Sequence, residues 1–217
     1  MESNRLKVIK KILLAIGGLA ICSVGIYLGL IANVGLVPWD SLTMGIANTF
    51  NISYGKINIA VSLTVLFVDL CLKEKIGLGT ILDSLLVGTF IDGLYVILPI
   101  SSPNNVFVGL LYLTIGMFII AIGTKVYMTA GLSCGPRDSL LVALGKRFPK
   151  LKIGYVDIGV KVILIILSLI VKGPIGIGTL YGMVMMGVCF NIVFAIFKFE
   201  PRKVVHEDLF TTLNRVK

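Results

Sequence analysis

Side chains able to do chemistry are scarce in the middle of this 217-residue chain, and most of them are carboxylates. Asp40, Asp92, Asp138 and Asp157 stand in apolar surroundings, accompanied by Lys161, Ser41, Ser139 and Asn191. Two of the acids share a pattern: Pro38-Trp39-Asp40-Ser41-Leu42 matches Pro136-Arg137-Asp138-Ser139-Leu140. Carboxylates in such settings are expensive to keep and usually bind a cation or proton, or neutralise a base. Asp157 and Lys161 fall on one helical face at i and i+4, the spacing of a self-neutralising pair. Asp92 has no such local partner, and its position suits a single ion or proton site.

Nucleophilic and metal chemistry find no support. The only histidine, His206, lies in a polar tail. The cysteines Cys22, Cys71, Cys134 and Cys189 are far apart, with no CxxC pair. Neither a metal centre nor a disulfide framework is expected. No Ser-Lys or Gly-x-Ser-x-Gly arrangement is present, so no enzyme and no cofactor are expected.

The elements that must hold these residues follow from composition. Hydrophobic residues make up 57% and charged ones 14%, with a mean hydropathy of +1.00. A soluble shell needs about a quarter of residues charged. Most of this chain therefore faces lipid. Apolar runs near 12–32, 57–72, 80–99, 106–128, 153–171 and 177–197 give an all-α protein of six membrane spans. The first run follows Arg5, Lys7, Lys10 and Lys11, and is too long for a cleaved signal. The net charge of +9 assigns itself to topology rather than to nucleic acid. Four basic residues precede the first span, two fall at 73–79, five at 129–152 and four after Lys198. The alternate connections carry only Lys56 and Lys172. Both termini are thus expected in the cytoplasm.

The chain also reads as a duplication. Besides the Pro-x-Asp-Ser-Leu pair, Ile76-Gly77-Leu78-Gly79-Thr80 matches Ile175-Gly176-Ile177-Gly178-Thr179, at offsets of 98 and 99 residues. Gly55 falls on Gly154, Asn58 on Asp157, Gly88 on Gly187 and Asp92 on Asn191, while Gly18 and Gly25 fall on Gly116 and Gly123. Each copy, about 12–102 and 106–198, holds three spans. An odd number forces the copies into opposite orientations, a 3+3 inverted repeat within one transmembrane domain. Pro-x-Asp-Ser-Leu of the first copy is then expected at the outer surface and that of the second at the inner, with the Gly-x-Gly-Thr runs reversed.

These motifs, taken in order from Ile12 to Phe197, resemble the YczE/YyaS/YitT group of bacterial membrane proteins. The resemblance implies a multi-pass protein of the bacterial plasma membrane and leaves its substrate open.

Several readings of the motifs stay open on sequence grounds. Asp40 and Asp138, each two residues after a proline, fit helix N-caps. The segments that follow, 38–53 and 136–148, are about half a bilayer long at ~1.5 Å per residue. They are either re-entrant half-helices or interfacial ones; Gly131, Gly135 and Pro136 favour re-entry, and Lys146, Arg147 and Lys150 favour the surface. Gly77, Gly79, Thr80, Gly176, Gly178 and Thr179 serve close packing or a tight turn, or else gating together with Pro38 and Pro136. Arg137, replacing Trp39, is expected to reach lipid phosphate or an anionic ligand. Asp69, Asp83 and Lys125 are expected to snorkel at span ends.

The functional expectation is a small-solute or ion transporter, carrier-like or channel-like, with its site between the halves. A membrane accessory protein acting through a partner is the alternative, motivated by the cytoplasmic tail, 199–217. There Val205, Leu209, Phe210, Leu213 and Val216 recur at helical spacing. A substrate-capture subunit of a larger importer fits the size but not the repeat.

Overall fold

The computed structural model describes residues 2–74 and 76–200 of the chain. The helical pattern expected in the tail, Val205 to Val216, and Lys75 of the basic loop lie outside the described residues. Eight helices follow in order: α1 (Glu2–Ile31), α2 (Pro38–Phe50), α3 (Tyr54–Cys71), α4 (Leu78–Ile97), α5 (Val106–Thr129), α6 (Pro136–Arg147), α7 (Ile153–Ile170) and α8 (Ile177–Ile196). No strand occurs among the described residues. Six of the helices, from Val8–Ile31 to Ile177–Ile196, are long and apolar enough to cross a membrane. The boundaries agree with the sequence expectation to within a few residues. The two short helices occupy the expected 38–53 and 136–148 segments.

Small residues decide the centre of the bundle. Gly18 and Gly25 lie seven positions apart on α1, as do Gly116 and Gly123 on α5, so each pair shares a helix face two turns long. A Cβ on Gly25 would stand 2.5 Å from the Gly116 carbonyl oxygen, and a Cβ on Gly116 would stand 2.5 Å from that of Gly25. The antiparallel α1–α5 pair therefore packs backbone to backbone, which lipid-facing helices achieve only through glycine-sized residues. Around it, α1 packs on α4 and α5 on α8. The short helices sit further out, α2 along α7 and α6 along α3.

Prolines at the first position, Pro38 and Pro136, start α2 and α6 where a missing N–H costs nothing. Asn51, in the left-handed region at φ 54°, ends α2. The segments ahead of these helices, 32–37 and 130–135, turn into the bundle as non-helical chain. Such backbone is tolerated at membrane depth only when protein satisfies its polar groups. The starts of α8 and α4 do so: Gly178 N donates to Val34 O and Gly79 N to Leu132 O, each at 2.7 Å. Leu36 N donates to Pro174 O at 2.9 Å, and Thr80 Oγ1 to Cys134 O at 2.7 Å. The Gly-x-Gly-Thr runs thus dock the chain that leads into the opposite Pro-x-Asp-Ser-Leu motif, and glycine is needed because the carbonyls lie where a Cβ would be.

Candidate functional site

The two Pro-x-Asp-Ser-Leu motifs meet inside the bundle. Arg137 Nη1 donates to Asp40 Oδ1 at 3.1 Å, and its Nη2 donates to Asn58 Oδ1 at 2.7 Å. Tyr54 Oη donates to the same Asp40 oxygen at 2.9 Å. The guanidinium also lies over the Trp39 ring, 5.3 Å from its centroid. Asp40 and Asn58 are buried, so α2, α3 and α6 share one desolvated charge cluster. An arginine suits it, since a planar guanidinium can stack on an indole while directing separate N–H bonds to two acceptors.

This arrangement corrects two expectations. Arg137 engages Asp40 rather than lipid phosphate. Nor are the motifs parted onto opposite faces, because the 32–37 and 130–135 segments fold inward before their helices begin. It also bears on re-entry: α6 begins beside Asn58 and ends where Lys146 Nζ pairs with Glu74 at 2.7 Å, just past the end of α3. About 20 Å of helical rise separates Asn58 from Cys71, close to the roughly 18 Å of α6. α6 thus runs alongside α3, not across the end of the bundle.

Other residues fall into clearer roles. Asp40 and Asp138 do not cap their helices; Val37 and Gly135 hold those positions, without a side-chain cap bond. Both acids sit in the first turn, where the helix dipole favours a negative charge. Asp138 is exposed and accepts from Tyr127 Oη at 3.3 Å. Ser41 Oγ lies 2.6 Å from Ser168 Oγ and 3.1 Å from Pro174 O, tying α2 to the end of α7. Ser139, its repeat counterpart, is half-buried. Asp157 and Lys161 form the expected i,i+4 pair at 2.6 Å.

Asp92 is not partnerless. It accepts from Ser53 Oγ at 2.6 Å and from Gly55 N at 2.8 Å, closing the first turn of α3 from α4. The reach comes from a neighbouring helix, so local sequence spacing could not reveal it. Asn191 is exposed on α8 and bonds to nothing among the described residues. Asp69 does not snorkel; it is fully buried, with neither oxygen hydrogen-bonded among the described residues. Asp83 is half-buried beside Gly135, and Lys125 lies over the Phe197 ring. Tyr54 and Asn58 were missed as site residues; the offset partner of Tyr54 is the apolar Ile153, so nothing marked it, whereas Asn58 falls on Asp157, a polar pair that was the one available signal.

A cavity of about 390 Å³ opens at the end away from the basic loops, between the 33–36 and 174–177 connections. Leu36 is among its lining residues. Beneath Leu36 a much smaller void, bordered by Gly25, Met117 and Ile120, reaches Asp40.

Six apolar spans with two half-length helices buried at their starts define a multi-pass membrane protein. More particularly, the chain belongs to the family of unknown function DUF6198, whose model matches residues 9–195. It is 31% identical over 170 residues to an uncharacterized protein of Haemophilus influenzae, covering 78% of this chain and 77% of the relative. It is 29% identical to the uncharacterized membrane protein YczE of Bacillus subtilis, over 78% of this chain and 79% of that one. A third relative, the uncharacterized protein YyaS of Bacillus subtilis, is 29% identical over 81% of this chain and 88% of its own. No solved structure matches the chain.

Proposed function

We propose that the chain is a small-solute or ion transporter of a bacterial plasma membrane, carrier-like or channel-like, and not an enzyme. Its two inverted repeats, about 12–102 and 106–198, flank a site at the Asp40–Arg137 cluster, and both termini lie in the cytoplasm. The observation that carries the reading is the ion pair itself. It joins the first turns of two half-length helices, one from each half of the chain, inside an apolar bundle. Charges placed so are costly and mark solute or ion pathways in membrane proteins. Half-helices that begin near the middle of a bundle are the usual way such pathways are built.

Contacts repeated at the sequence offset support the two-repeat reading. Gly178 with Val34 and Gly79 with Leu132 are counterparts at 98 and 99 residues, with equal bond lengths of 2.7 Å. Gly25 contacts Gly116 and Gly123 contacts Gly18, each glycine meeting the counterpart of its partner. Trp39 and Arg137 are themselves counterparts, so a two-fold relation passes close to the site.

The test is flux in proteoliposomes over a panel of inorganic ions, amino acids and organic acids, after thermal-shift screening has found a ligand that stabilises the purified protein. Arg137→Gln and Asp40→Asn are expected to abolish the flux of that ligand. Unchanged flux in folded variants would overturn the assignment of the site.

A further inference from the structure

The two halves are alike in most of their packing and unlike in one seam. In the first half, α3 and α4 lie tightly together. Gly55 and Gly88 are buried against each other there, and a Cβ on either would collide with the carbonyl oxygen of the other. Asp92 on α4 closes the seam by accepting from Gly55 N. The counterpart helices α7 and α8 make almost no contact. Gly154 and Gly187, the counterparts of Gly55 and Gly88, are both exposed, with nothing within 4 Å of an added Cβ. Asn191, the counterpart of Asp92, is exposed beside them in sequence on α8. The other main pairings have their partners: α1 on α4 with α5 on α8, α2 on α7 with α6 on α3, and α2 on α3 with α6 on α7.

From this imbalance we infer a second conformation, in which α7 and α8 close through Gly154 and Gly187 while α3 and α4 part. Glycine destabilises a helix relative to alanine and is kept where backbones must approach. At Gly154 and Gly187 no approach is made in the conformation described, whereas the same residues in the first half are indispensable to one. Asn191 is equipped for the closed seam, because one of the two donors that Asp92 satisfies is the Gly55 backbone N–H, and an amide oxygen accepts such a donor as well. The closed α3–α4 seam lies toward the end bearing the 390 Å³ cavity, whose lining does not include Asp40 or Arg137. The parted α7–α8 seam lies toward the basic end, where Asp138 is exposed. Exchange of the two seams would expose the Asp40–Arg137 cluster from one end and then from the other.

The inference rests on the two-repeat reading above, and its test needs no substrate. Spin labels are placed at Tyr155→Cys and Val188→Cys across α7–α8, and at the counterparts Lys56→Cys and Thr89→Cys across α3–α4; all four positions are exposed. The background carries Cys71→Ser and Cys134→Ser, leaving the buried Cys22 and Cys189. In lipid nanodiscs, double electron–electron resonance should give two distances for 155–188, the shorter matching the main distance of 56–89. Gly187→Leu, which fits the open space in the described conformation, should remove that shorter distance. Gly88→Ala, which cannot fit the closed α3–α4 seam, should raise its share. A single long 155–188 distance in both the parent and the Gly88→Ala protein would overturn the inference, as would a short distance that survives Gly187→Leu. Two distances without flux of any solute would retain the seam exchange and remove the transport reading, whereas flux with one distance would do the reverse.

Discussion

Removing the guanidinium at position 137 is the perturbation whose effect the structure defines best. In Arg137→Met the Asp40 carboxylate keeps Tyr54 but loses its one ion-pair partner among the described residues, and its side chain is 10% exposed. Breaking a buried pair by deleting one partner costs about 3–5 kcal/mol, because an uncompensated charge stays behind. Loss of the bond to Asn58 and of the stack on Trp39 acts in the same direction. For a chain of this length roughly 2–4 °C of Tm accompany each kcal/mol, so a fall of roughly 6–20 °C is expected. Asp40→Leu should cost a similar amount through the stranded guanidinium. The double variant Asp40→Leu/Arg137→Met should recover most of the loss, since apolar replacement of an entire buried pair is often neutral or stabilising. Thermal unfolding of the four proteins in one detergent closes the cycle and isolates the coupling. Additive losses, with the double variant as unstable as the sum of the two singles, would refute the pair as the link between the halves.

Three further outcomes are expected. Gly116→Val places a branched side chain where a Cβ already stands 2.5 Å from the Gly25 carbonyl oxygen, and should destabilise by at least about 1–3 kcal/mol, whereas Gly17→Ala, with nothing within 4 Å, should leave the Tm unchanged or higher. Asp69→Leu removes two buried, unbonded carboxylate oxygens and should raise the Tm; a fall would show that the carboxylate is satisfied in the intact protein. Asp92→Asn keeps an acceptor for Gly55 N and should change the stability by less than about 1 kcal/mol, while Asp92→Leu, which leaves that N–H and Ser53 Oγ without a partner, should cost about 1–3 kcal/mol, both read from thermal unfolding.

The sequence alone determined the six spans and placed the two short helices, because both follow from the length of apolar runs and from prolines at fixed positions. Its offsets of 98 and 99 residues also marked Gly18, Gly25, Gly79 and Gly178 as positions of special use. What those glycines touch was not legible. A close backbone approach is made by the partner helix, and nothing in the spacing of Gly25 names Gly116 as the neighbour. The same limit hid the partners of Asp40 and Asp92. Asp40 meets Arg137 from 97 positions along the chain, and Asp92 meets Gly55 from 37. A repeat predicts which residues are equivalent, but equivalent residues need not be in equivalent states. Gly55 and Gly154 match at the sequence offset, yet one is buried and the other exposed. Only the tertiary structure decided that difference, because the Gly88 backbone on α4 packs against Gly55 while nothing lies within 4 Å of a Cβ on Gly154.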